Sequence, residues 1–246
     1  MQEGRAGPND PNAGRKDAKG NGCSASSRIC CRCCRHEPRD CALCPRLAGF
    51  IAANRAAHPE WFNAPVPSFG DASGRFLIVG LAPGLQGANR TGRPFTGDYA
   101  GDLLYSTLAK FGLSRGQFAA RPDDGLTLKD TLITNAVRCV PPENKPTGAE
   151  RLTCRQFLVS RIAEMPKLKV ILALGRIAHD STVRALNTKP SSAVFGHGRR
   201  HKLTGPNGPV LLHDSYHCSR YNTNTGRLTT EMFHSVFAAI RQDLDA

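Results

Sequence analysis

The sequence predicts an α/β protein: three layers, α/β/α, around a central, mainly parallel four-stranded sheet. Three observations carry this. Four short, near-continuous apolar runs recur along the chain, segments with helical spacing of apolar residues separate them, and polar motifs suited to chemistry lie where the runs end. Strands that are apolar on both faces belong inside a parallel sheet covered by helices on both sides. Ligands of such sheets bind at the carboxyl ends of the strands.

The elements follow in order. RFLIVGL (75–81) reads as the first strand. In YAGDLLYSTLAKFG (99–112), Leu103, Leu104, Thr107, Leu108 and Phe111 repeat at helical spacing. DTLITNAVRC (130–139) is a second strand, rich in β-branched residues, and GAERLTCRQFLVSRIAEM (148–165) a second helix. LKVILALG (168–175) is the third strand, followed by helix RIAHDSTVRAL (176–186). GPVLLHDS (208–215) is the fourth strand. In the closing helix, 229–244, Met232, Phe233, Val236, Phe237 and Ile240 share a face, with Thr229 or Thr230 as N-cap.

The 246 residues, 40% hydrophobic, are enough for one sizeable core. Residues 40–246 are read as that single domain. Residues 1–39 lack apolar periodicity and read as a disordered tail containing cysteines. The formal net charge of +13 points to a polyanionic partner, since Lys and Arg gain affinity for phosphates by releasing counterions. No run is long enough to span a membrane and no apolar leader opens the chain. The expectation is a cytoplasmic protein, intracellular and nucleoid-associated. Ten cysteines in a reducing compartment then argue for metal or cluster ligation over disulfides.

GLAPGLQGANRTGRPFTGD (80–98) follows the first strand. Its glycines let a ligand approach the backbone or make turns. It is neither a P-loop, lacking GxxxxGK[ST], nor a dinucleotide fingerprint, since Gly80, Gly84 and Gly87 have the wrong spacing. The whole string closely resembles the first motif of the type 5 (B-type) uracil-DNA glycosylases, the iron–sulfur branch of that superfamily. LITNAVRC (132–139) resembles the family's asparagine strand, SYHCSRYNTNTGRLT (215–229) its histidine loop and CALCPRL (41–47) its N-terminal cysteine pair. The resemblance runs from about Cys41 to the C-terminus.

It implies a monofunctional DNA repair glycosylase of the α/β/α fold, which flips uracil out of DNA and hydrolyses the bond from C1′ to the base. The base leaves as an anion and the sugar becomes cationic. By resemblance, Phe95 stacks on the flipped base and Gly80 and Leu81 offer it backbone groups. Asn135 reads it, donating to O4 and accepting from N3–H. His217 matches the histidine that bonds O2 of the departing base, with His213 and His197 as neighbouring alternatives. Cys218 stands where the family usually has proline. Ala82 stands where related families carry an acid, which leaves Asn89 and Asp98 as candidate water-activating groups, beside a mechanism driven by the leaving group alone. Arg220, Tyr221 and Asn222 are candidates to fill the vacated stack. Arg199 and Arg200, with Arg90 and Arg93, are candidates for phosphate contact. A lyase would need an activated lysine, and the motifs show none.

Cys41 and Cys44 form CxxC, and Cys139 and Cys154 follow at a distance. Spacing alone leaves zinc and a 4Fe–4S cluster open; the resemblance implies the cluster, held by these four residues in a structural role. Cys23, Cys30, Cys31, Cys33 and Cys34 lie outside the family pattern. The expected partner is DNA containing uracil or other deaminated bases, bound by a monomer. The alternatives are a non-catalytic binder of damaged DNA on the same fold and a zinc-stabilised nucleic-acid module.

Overall fold

The computed structural model describes residues 37–246, and these belong to one compact unit. The tail expected for residues 1–39, with its five extra cysteines, lies outside the described residues up to position 36. The last three, 37–39, join the folded unit: Arg55 donates to the Arg39 carbonyl at 3.1 Å, and the Arg39 guanidinium lies 5.4 Å from the Phe62 ring centre.

The parallel strands β2 (Phe76–Gly80), β5 (Thr131–Asn135) and β6 (Val170–Leu174) are buried along their whole length, as their apolar runs predict. The fourth, β8 (Gly208–Ser215), lies beside β6. The sheet has six strands, not four. Short β1 (Phe69–Gly70) and β7 (Arg200–Gly205) pair antiparallel on the two edges, in the order β1-β5-β2-β6-β8-β7. Arg200, a candidate for phosphate contact, opens β7, whose exposure alternates as expected at an edge. A separate two-stranded ribbon pairs β3 (Ser114–Arg115) with β4 (Thr127–Leu128).

Period-two alternation sorts the sheet's side chains into two layers. Phe76, Ile78, Ile133, Val170 and Leu172 pack with α3 (Tyr99–Lys110) and α7 (Thr230–Asp245). Leu77, Val79, Leu132, Ile171 and Ala173 pack with α4 (Gly148–Ala163) and α5 (Arg176–Ala185) on the other face. This is the predicted three-layer sandwich. Thr147 and Glu150 cap α4 reciprocally, and Thr229 caps α7 through the Met232 amide at 3.2 Å. The sequence reading missed α1 (Pro45–Ala57), which carries no apolar stripe and buries only Leu47, Ile51 and Asn54. Two short helices were also missed, α2 (Ala88–Thr91) and α6 (Arg220–Asn224). Among the described residues no helix is long and apolar enough to cross a membrane.

Candidate active site

Where the parallel strands end, Gly80 lies beside Asn135 in register, and Leu174 beside Ser215. The chain after β2 and the chain after β5 stay joined, since Ala136 donates to the Gly80 carbonyl at 2.9 Å and Val137 to that of Leu81 at 3.0 Å. Above them opens a cavity of about 680 Å³, walled by the 81–88 loop and by Phe95, Asp98, Asn135, Asn144, His217 and Arg220.

Phe95 adopts φ +53°, a left-handed conformation costly for a bulky residue. Its neighbours hold it there. The Tyr105 hydroxyl donates to the Pro94 carbonyl at 2.7 Å and the Thr91 hydroxyl to the Thr96 carbonyl at 3.0 Å. The ring thus stands at the cavity wall, 5.9 Å from the His217 ring and inclined 27° to it. Gly80 is not on the wall. A Cβ there would meet Asn135 Oδ1 and come within 2.7 Å of Phe95 Cζ. The bare glycine lets the Phe95 ring and the asparagine approach each other, while Leu81 does line the cavity. Asn135 is 3% exposed, and its side-chain amide has no partner among the described residues.

His217 follows β8, and Asn222 holds its carbonyl at 2.8 Å. Burial pushes its pKa down to about 4, so the ring is neutral at pH 7 and offers one N–H. The other two histidines are committed elsewhere: His213 contacts Asp243 at 2.7 Å, and His197 stacks on Tyr216 at 5.0 Å. Cys218 is fully buried in the core, its thiol 3.4 Å from the Ala100 carbonyl. The thiol thus ties the histidine loop to the first turn of α3.

Asp98 lies just before α3 and lines the cavity. Burial raises its pKa, against the lowering effect of the Gly101 and Ala100 amides. Oδ2 lies so near Gly87 that a Cβ there would strike it, and Oδ1 is buried without a partner among the described residues. Asn89 does not reach the cavity. It is fully buried, donating to Asn63 Oδ1 at 2.8 Å. Of Asp98 and Asn89, only Asp98 lines the cavity. Ala82 lines the cavity and packs against the apolar cluster around the cysteines.

A model of the Uracil DNA glycosylase superfamily matches residues 67–241. The type-5 uracil-DNA glycosylase of Thermus thermophilus is 45% identical over 202 residues, covering 80% of this chain and 90% of that protein. The chain belongs to the type-5 uracil-DNA glycosylases. The Pyrobaculum aerophilum type-5 uracil-DNA glycosylase is 36% identical, over 83% of this chain and 89% of its own length. That of Mycobacterium bovis is 40% identical, over 80% and 75%.

Around this glycosylase's cavity, the residues singled out for DNA contact have separate fates. Arg220 opens α6 and lines the cavity, its guanidinium 5.3 Å from the Tyr99 ring centre. Tyr221 beside it is 71% exposed. The Asn222 amide, in contrast, is spent on the His217 carbonyl. Arg199 is exposed and donates to the Val194 carbonyl at 3.2 Å. Arg200 pairs with Asp243 through two contacts, at 2.6 and 2.8 Å. Arg93 is buried and held by both Asp124 oxygens at 2.7 Å, so it cannot serve phosphates; Arg90 is exposed. Gln86, Tyr99, Asn144 and Ser219 were not singled out, yet they line the cavity. Asn144, at φ +56° between prolines 142 and 146, had a turn signal but nothing to say which way the turn faces.

Cys41, Cys44, Cys139 and Cys154 line one small pocket, with Glu37, Leu47 and Arg138. Burial raises the thiol pKa of Cys44, Cys139 and Cys154, that of Cys154 to about 12, and the neighbouring cysteines push the same way. A bound cation reverses that effect by stabilising the thiolates. Among the described residues, the one group of three or more His, Cys, Asp or Glu donors within 4.8 Å of one another is His179, His201 and Asp214. That group is hydrogen-bonded internally at 2.6 and 3.1 Å. Arg46 binds Glu150 through two 2.8 Å contacts and fastens α1, with Cys44 at its N-cap, to the α4 that carries Cys154.

Proposed function

We propose that the cavity receives a uracil flipped out of DNA, with Phe95 stacking on it, Asn135 reading its edge and His217 bonding O2 as the base leaves. The chain is a DNA repair glycosylase, a monofunctional hydrolase of N-glycosyl bonds that leaves an abasic site. The observation that carries the assignment of roles is the convergence of Phe95, Asn135 and His217, from three distant motifs, on one cavity wall. Asn135, with its amide unpartnered, is free to donate to O4 and accept from N3–H; cytosine presents the opposite pattern. As the bond breaks, negative charge grows on the base, and the neutral His217 N–H stabilises it in a water-poor pocket. Asp98 faces the developing cation at C1′ and takes a proton from the attacking water. Its place on the cavity wall and its raised pKa, which suits a base, support that role.

Arg220 and Arg199 are the proposed phosphate contacts and Tyr221 the wedge; Asn222 is a positioning residue for His217. The exposed basic side chains, with the net charge of +13, fit a DNA partner. We assign a monomer acting inside the cell, with other deaminated bases as further substrates.

The four cysteines would hold a 4Fe–4S cluster, which when bound cross-links the N-terminal segment, the end of β5 and α4. A four-thiolate set suits zinc or a cluster by ligand type, and the resemblance to the iron–sulfur branch of the family supports the cluster.

The test is alkaline strand cleavage after incubation with a duplex carrying one uracil. Wild type yields cleaved strand, and Asn135→Ala and His217→Ala each lose at least about 100-fold in single-turnover rate. Intact DNA with iron-loaded wild type would sink the catalytic reading and leave the damaged-DNA binder. Iron and sulfide analysis of the purified protein tests the cofactor separately.

A further inference from the structure

Arg138 lies one residue before Cys139, among the largest fully buried side chains of the molecule, and is 2% exposed. Its guanidinium is poorly served by protein. Nη1 donates to Ser68 Oγ at 3.0 Å and lies 3.7 Å from Glu37 Oε1, beyond hydrogen-bond length. Nε and Nη2 have no partner among the described residues. A buried cation with orphaned N–H groups needs an acceptor, and preferably a negative one. The pocket of the four cysteines is such a surface. Arg138 lines the pocket of the four cysteines, and its own backbone amide already donates to Cys154 Sγ at 3.3 Å.

We propose that Arg138 is the counter-cation of the group held by Cys41, Cys44, Cys139 and Cys154, donating Nε–H and Nη2–H to its sulfurs. The inference rests on the cluster reading given above. A cluster bound by four thiolates carries net negative charge, and reduction makes it more negative. A fixed positive charge and N–H donors beside the sulfurs favour the reduced form and raise the potential. The same guanidinium connects the cysteine site to the base-reading strand, because Ser68 Oγ also meets Thr134 Oγ1 at 2.9 Å, next to Asn135. Glu37 competes for the charge from one side, and Arg161 adds a second cation nearby.

The test compares holoprotein of wild type, Arg138→Lys and Arg138→Met by iron and sulfide content, reduction potential and iron loss to a chelator. Arg138→Met lowers the reduction equilibrium constant at least about tenfold, which is about 59 mV for a one-electron couple, and speeds iron loss. Arg138→Lys keeps the charge and stays within about threefold of wild type in that constant. Arg138→Met with the wild-type potential and iron retention overturns the proposal, as does Arg138→Lys indistinguishable from a shifted Arg138→Met. If Arg138→Met does not load, Glu37→Gln decides. Removing the competing carboxylate moves the potential upward, and an unmoved potential overturns the proposal. Wild type purified without iron and sulfide removes the cluster reading itself and this inference with it, whatever the variants do.

Discussion

Gly80→Ala tests the packing that brings the stacking ring and the base reader together. The added Cβ comes within 2.7 Å of Phe95 Cζ and 3.0 Å of Cε2, and also meets Asn135 Oδ1. Carbon atoms at ease lie about 3.5–4.0 Å apart, so the ring or the asparagine must yield by about 1 Å. Both side chains line the cavity and must yield into it, since their backbones are held, Phe95 at φ +53° and Asn135 in the sheet beside Gly80. Overpacking of this kind costs about 1–3 kcal/mol in stability. A displacement of about 1 Å at a reacting site costs about 100-fold in rate. Single-turnover excision on a duplex with one uracil should therefore fall by about two orders of magnitude while the protein stays folded. Gly49→Ala, in α1 with nothing within 4 Å of the added methyl, is the control. It should gain up to about 1 kcal/mol in stability and leave the rate unchanged. A folded Gly80→Ala within about threefold of the wild-type rate would refute the reasoning.

Three other outcomes follow from the same structure. The His217 pKa falls from about 6.5 in the unfolded chain to about 4 in the native protein. Between those values the unfolded chain binds the extra proton, so stability drops as pH falls from 6.5 to 4, by at most about 3 kcal/mol. His217→Gln should flatten that slope in urea titrations, and an unchanged difference between pH 7 and pH 4.5 would contradict a desolvated neutral ring. Asp124→Asn leaves the buried Arg93 guanidinium, which holds the Asp124 carboxyl well below the usual range, without its charge partner. The expected loss is about 3–5 kcal/mol by thermal or denaturant melting, and a loss below about 1 kcal/mol would show that the pair is dispensable. Cys218 is buried in the core, and its thiol pKa is pushed up to about 12. Peptide mass spectrometry should find it unalkylated by iodoacetamide in the native protein and modified in urea; native labelling at the unfolded rate would mean that the histidine loop opens.

The four parallel strands and the helices between them were legible because apolar periodicity reports burial directly. GPVLLHDS marks β8 at the observed bounds, and Thr229 caps α7 as one of the two threonines proposed. Polar or unpatterned pieces were not legible. Arg200 was read as a phosphate contact, yet the start of β7 pairs with β8 through its backbone and its side chain binds Asp243. Asn89 and Arg93 sit in the same motif as Phe95 and Asp98 and looked equally available. One packs against Asn63 and the other against Asp124, on partners 26 and 31 residues away.

By itself, then, the sequence determined the layer order, the family and the chemical types at the site, because periodicity and motif composition are local properties written in adjacent residues. Tertiary structure alone decided which polar side chains face the cavity. It chose His217 over His213 and His197, and Asp98 over Asn89. It withdrew Gly80 from the wall and placed Arg138 against the cysteines. Those outcomes depend on where distant segments deliver their hydrogen-bond partners, and a side chain is free for a ligand only when no such partner reaches it.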